Sequence, residues 1–150
     1  MMDLRVIKLV GDHEGYRQFV YDDATGKPIG PGSVVEGYPT VGYGLNLQGR
    51  GVLKDEAEYL LKKELETIDV ELDKDYGWYK TLSPVRKSVL MDMRYNLGRA
   101  GLAGFRTTLG HIQMGRFASA ADAMMQSKWA TQVKGRALTL SRMMRTDEWP

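Results

Sequence analysis

The sequence predicts an α+β fold, and three observations carry that prediction. A short apolar repeat at helical spacing opens the chain. One stretch interleaves aromatic and β-branched residues with Gly and Pro, and nearly everything after Asp55 is patterned as amphipathic helix. The expected organisation is a single domain over residues 1–150, with a small N-terminal antiparallel β-rich lobe at about 15–50. A larger helical lobe takes in about 55–150 together with the N-terminal helix, and a long helix joins the lobes.

Leu4, Ile7 and Val10 recur at helical spacing, so a short helix leads into Glu14. From residue 19 to about 47 the segments "FVYDD", "ATGKPIGPG" and "SVVEGYPTVGYGLNL" read as short strands and turns. Ala57, Leu61, Leu65, Ile68 and Leu72 then form one apolar stripe with Lys and Glu between them, the mark of a long amphipathic helix that "DYGWY" ends. Ser83 as N-cap and Pro84 at the first helical position start the next helix, which buries Val85, Val89 and Met93 and stops at Gly98. Shorter helices near 108–114, 118–129 and 135–144 complete the set. There is no internal repeat, low-complexity tract or linker.

Composition narrows the classes of function. Hydrophobic residues make up 43% and charged residues 27%, as in a soluble globular protein. With 21 basic and 19 acidic side chains the net charge is +2, which permits an anionic partner but lacks the basic stripe of a nucleic-acid binder. The absence of cysteine excludes disulfides and thiolate metal sites. The N-terminus has no apolar run of signal-peptide length, and no segment approaches a membrane span. The product is therefore expected to be soluble where it is made and to need another agent for release. The segment "SKWATQVKGRALTLSRMMR" is basic and amphipathic; it reads either as a packed terminal helix or as a contact for anionic surfaces.

The stretch "HEGYRQFVYDD" carries the most chemistry. Hydrolysis of a glycosidic bond needs two carboxyl groups in unlike environments, one protonated to assist the leaving oxygen and one ionised. Glu14, after an apolar helix and beside Gly15, is placed to be packed against side chains that raise its pKa. Asp22 or Asp23, in a turn after a strand, would stay solvated and ionised. An ordinary turn accounts for the same residues, because Asp-Asp before "ATG" is good turn chemistry. Metal binding is weaker: Asp12, His13 and Glu14 on a helix splay over about 200° and cannot converge on one ion. No metalloprotease, phosphate-loop or nucleophile-elbow motif is present.

Taken in order, the motifs resemble those of the phage-type lysozymes, glycoside hydrolase family 24. In that family a Glu-Gly pair ends the first helix and a Tyr-x-Asp places its Asp nine residues after the Glu. Tyr21-Asp22-Asp23 fits that register, with Asp23 in the catalytic position. A Gly, a Thr and a Gly-x-Gly follow, here Gly26, Thr40 and "GYG" at 42–44. "SPVRKSVLMDMRYNLG" occupies the central helix, "NLGRAGLAGFRTT" is similar to the Gly-rich helix connection, and Trp129, Gln132 and Arg136 are in register with a C-terminal Trp-x-x-Gln-x-x-x-Arg. The match spans nearly the whole chain and is weakest over 51–82.

The resemblance implies a lysozyme-like fold and an N-acetylmuramidase that cleaves the β-1,4 bond between N-acetylmuramic acid and N-acetylglucosamine with inversion. It implies Glu14 as general acid, Asp23 as the carboxylate that activates water, and Thr40 as the hydroxyl that orients it. Asn46, Tyr95, Thr108 and Arg136 fall at substrate-binding positions, Arg136 where the family keeps an arginine close to the catalytic Glu. Ala123 replaces a family cleft Asn, and Leu45 replaces a His. No metal or organic cofactor is implied. The expected partner is peptidoglycan, with no nucleic acid, no stable membrane insertion, a monomeric state and a pore-forming holin for export from the host cytoplasm. Two other readings stand beside it: a lytic transglycosylase using Glu14 alone, and a non-catalytic peptidoglycan-binding relative. The clearest departure is an insertion, residues 27–39, that places Thr40 seventeen positions after Asp23 and is expected to extend a hairpin.

Overall fold

The computed structural model describes all 150 residues. The chain divides into two compact units, Met1–Tyr59 and Leu60–Pro150. The fold is α+β, with one three-stranded antiparallel sheet and seven α-helices.

In the first unit, helix α1 spans Arg5–Glu14. The Asp3 carboxylate accepts from the Arg5 N–H at its start, and Gly15, at φ 72°, ends it while donating its N–H to the Gly11 carbonyl. The helix forms where its apolar spacing predicts, but that spacing does not lead to burial. None of its residues is buried, and Leu4, Ile7 and Val10 are exposed.

The sheet runs β1 (Arg17–Asp22), β2 (Pro39–Gly42) and β3 (Leu45–Asn46), in that order and antiparallel throughout. Tyr21 lies opposite Thr40 and Asp22 opposite Pro39, with an irregularity in register between Arg17 and Tyr21. A two-residue turn, Tyr43-Gly44, joins β2 to β3, and Gly42 and Gly44 both take positive φ there.

The insertion does more than extend a hairpin. Its outgoing limb folds back on the free edge of β1: Asp22 N–H donates to the Lys27 carbonyl, Ile29 N–H to the Val20 carbonyl, and Tyr21 bridges Pro28. Its return limb feeds into β2. Strand β1 is thus paired on both edges, which leaves fewer backbone groups unsatisfied than a free edge would.

Helix α2, Lys54–Asp75, starts with Glu56 reaching back to accept from the Leu53 N–H at 2.9 Å while Arg50 holds the same carboxylate. Its stripe is buried at Ile68 and Leu72, whereas Ala57 and Leu61 at its start stay exposed. A short 3-10 turn, Tyr79–Thr81, follows, and the Tyr79 hydroxyl donates to Asp69 at 2.6 Å. Helix α3 is assigned to Pro84–Ala103 with Ser83 capping the Arg86 N–H. Gly98, at φ 74° and ψ 174°, breaks it where the sequence stops it.

Helices α4 (Arg106–Gln113), α5 (Phe117–Met125), α6 (Lys128–Val133) and α7 (Gly135–Thr146) complete the second unit. The single helix expected near 118–129 is two. Ser127 takes an extended conformation and its hydroxyl accepts the Ala130 N–H, so the chain restarts there as α6. The second unit's core includes Leu72, Val89, Leu90, Met93, Leu102, Ile112, Met124 and Met144. Trp129 meets Phe105 edge-on at 5.8 Å and donates its indole N–H to Asn96. The basic C-terminal segment is a packed element, because α7 buries Ala137, Leu140, Met143 and Met144.

Candidate active site

The carboxylates of the first unit fall into two kinds. Glu14, the last residue of α1, is exposed and makes no ion pair. The helix that carries it buries none of its own side chains. Its carboxyl lies beside the β2–β3 turn. A Cβ built on Gly44 would lie 2.9 Å from Glu14 Oε2, and Gly44 has φ 79°. The positive φ favours glycine there, and the missing side chain leaves room beside the carboxyl.

The adjacent aspartates divide their roles. Asp22 is only 3% exposed and accepts backbone N–H bonds from Ala24 at 3.0 Å, Glu36 at 2.8 Å and Gly37 at 3.0 Å. The Glu36 N–H foremost holds its carboxyl below the ordinary aspartate range; burial opposes this, and the Ala24 and Gly37 donors reinforce it. Asp22 is therefore the turn residue, clamping the insertion's return limb. Asp23 is exposed, and one of its oxygens, Oδ1, accepts the Tyr38 N–H at 2.7 Å. Of the two, Asp23 has the carboxylate open to a ligand.

Thr40 is 3% exposed on β2, and its hydroxyl donates to the Tyr38 carbonyl at 2.9 Å. With its proton committed, that oxygen can only accept a further hydrogen bond. The same Tyr38 carbonyl accepts the Asp23 N–H at 3.2 Å, so the Tyr38 peptide is bonded to both Asp23 and Thr40. Asn46 lies opposite Thr40 on β3, but its Oδ1 is engaged by the Gly49 N–H at 2.8 Å, which leaves its amide NH₂ to contact a ligand.

The other expected site residues belong to the second unit. Arg136 is half-buried and pairs with Asp92 at 2.7 Å, also reaching the Asp92 carbonyl. These two, with exposed Tyr95, line a recess of about 350 Å³ whose apolar floor includes Leu61, Leu65 and Met91. Thr108 is buried on the inner face of α4 beside Leu109 and Ile112, so it offers a sugar little surface. Glu14 on α1, Asp23 in the turn after β1, and Thr40 and Asn46 on the sheet therefore belong to one unit, and Tyr95 and Arg136 lie together in the other. Sequence reasoning missed the clamp made by Asp22, although Asp ahead of "ATG" was a signal for such a turn.

A small sheet flanked by exposed carboxylates, joined to a unit built of helices, is the lysozyme-like α+β class. The family model described as Phage lysozyme matches residues 11–147, and the chain belongs to that family. Lysozymes of this family act on peptidoglycan, and the protein is a peptidoglycan hydrolase on that ground. No helix is long and apolar enough to cross a membrane.

Proposed function

We propose that the chain is an inverting N-acetylmuramidase that cleaves the β-1,4 bond between N-acetylmuramic acid and N-acetylglucosamine. Glu14 protonates the glycosidic oxygen. Asp23 takes a proton from water on the opposite face of the sugar, and Thr40 accepts that water's second hydrogen. The observation that carries this reading is the division of labour between neighbouring aspartates. Asp22 is consumed by three backbone donors, while Asp23 keeps a carboxylate exposed and linked through the Tyr38 backbone to Thr40.

Glu14 is exposed in the free protein, open to the glycosidic oxygen of a bound polysaccharide. An inverting scheme needs the two carboxyl groups roughly 6.5–9.5 Å apart in the complex, to admit water. Tyr95 and Arg136 serve as substrate contacts, and the enzyme works as a monomer that reaches the wall through a holin-type pore.

Clearing of purified peptidoglycan by wild type and by Glu14→Gln tests the assignment. The variant is expected to lose at least about a hundredfold in rate while melting at the wild-type temperature. Equal clearing by both proteins would remove Glu14 as the acid. Anhydro-muramyl ends in the digest would point to a lytic transglycosylase instead.

A further inference from the structure

The insertion at residues 27–39 lies between Asp23 and Thr40 in sequence, and its hydrogen bonds show a specific relation to both. Glu36 and Gly37 give their N–H groups to Asp22, and the next residue, Tyr38, gives its N–H to Asp23 Oδ1 at 2.7 Å. The Tyr38 carbonyl receives the Asp23 N–H and the Thr40 hydroxyl. The backbone of three consecutive residues thus holds both aspartates and the threonine.

Gly37 is where this arrangement admits no side chain. A Cβ built there would fall 2.1 Å from Asp23 Oδ1, 2.7 Å from the Ala24 Cβ and 2.8 Å from the Ala24 nitrogen. Such distances lie far inside van der Waals contact, and two of the three partners are a backbone atom and a methyl fixed to the backbone. The Asp23 carboxylate is the group free to move. Gly37 does not have the positive φ that would explain glycine by backbone conformation. Space beside Asp23 explains it.

We infer that the return limb Glu36-Gly37-Tyr38 of the insertion is the positioning element for the Asp23 carboxylate, and that Gly37 is a positioning residue because any side chain there would drive that carboxylate off the Tyr38 N–H. This rests on the reading of Asp23 as the water-activating group. The return limb is then part of the catalytic apparatus: Tyr38 supplies a donor to Asp23 through its N–H and an acceptor to Thr40 through its carbonyl.

The test compares Gly37→Ala, Gly30→Ala, Asp23→Asn and Gly37→Ala/Asp23→Asn on soluble peptidoglycan fragments, with kcat, KM and melting temperature measured for each. Gly30→Ala controls for the insertion, since a Cβ there meets nothing within 4 Å and φ is not positive. Gly37→Ala is expected to lower kcat at least about tenfold, as a displaced catalytic group does, with KM within about twofold. Gly30→Ala should leave both unchanged. In the Asp23→Asn background Gly37→Ala should cause no further loss of turnover, because the two act through one group.

Wild-type kcat in a folded Gly37→Ala protein would overturn the inference. So would an equal additional loss in the Asp23→Asn background, or a KM rise that accounts for the whole effect, since either marks a structural role. If Gly37→Ala fails to fold, Gly37→Ala/Ala24→Gly, which relieves the Ala24 methyl contact, replaces it, and recovery of wild-type kcat in that protein overturns the inference. Full activity of Asp23→Asn is a different result: it removes the proposed role of Asp23 itself.

Discussion

Asp22 and Asp23 show how neighbouring residues of one type come to differ: one is enclosed by backbone donors and the other is left open. Because the folded state holds the Asp22 carboxyl below the ordinary range, chiefly through the Glu36 N–H, the native state binds that proton less readily than the unfolded chain. The stabilisation is fully present above the unfolded value of about 3.9 and is lost as pH falls through the depressed folded value. Asp22→Asn is therefore expected to melt below wild type at neutral pH, with the gap closing in acid; melts across that range check it, and a gap independent of pH would contradict it. Thr40 gives a second prediction at this scale. Thr40→Val removes both the acceptor offered to water and the donor to the Tyr38 carbonyl, and should lower kcat at least about tenfold, whereas Thr40→Ser should keep most of the rate. Steady-state kinetics on peptidoglycan fragments distinguish the two, and equal rates for Val and Ser would remove the hydroxyl from the mechanism.

Among the elements, helix α3 was the most legible. Ser83 before Pro84 marks its start and Gly98 its break because capping and positive φ are local properties of the chain. Ser83→Ala should cost about 1 kcal/mol, a fall in melting temperature of about 2–4 °C. Arg94 was not legible. No motif singles it out, yet it is 3% exposed and paired with Glu71 at 2.7 Å and Asp75 at 3.2 Å, with Arg99 on the other Asp75 oxygen. Arg94→Ala leaves the half-buried Asp75 short of a partner and should cost about 3 kcal/mol. Glu71→Gln, at a more exposed partner, should cost less than about 1 kcal/mol; calorimetry of the two variants checks the contrast. The break at Ser127 was missed because apolar residues on either side keep helical spacing across it. The double pairing of β1 was missed because it depends on residues the insertion brings back, such as Pro28 against Tyr21.

At the scale of the whole molecule, no single short motif identified the chain; their order and spacing did. Glu14-Gly15, Tyr21-x-Asp23, Thr40 with "GYG", and Trp129-x-x-Gln132-x-x-x-Arg136 are each common patterns, and together they agree with a family match from residue 11 to 147. That agreement made the fold class and the hydrolase readable. The environments of the side chains were less so: α1 carries its apolar repeat on an exposed face, and Thr108, named as a sugar contact, is buried. Burial depends on what the rest of the chain places around a residue, which local spacing does not encode. The central claim is that Glu14 and Asp23 act on opposite faces of the sugar with water between. Proton NMR of the newly released reducing end, recorded before mutarotation, tests it most directly. The α-anomer is predicted from the β-linked substrate; a β-anomer, or a 1,6-anhydro end with no reducing sugar, would contradict it.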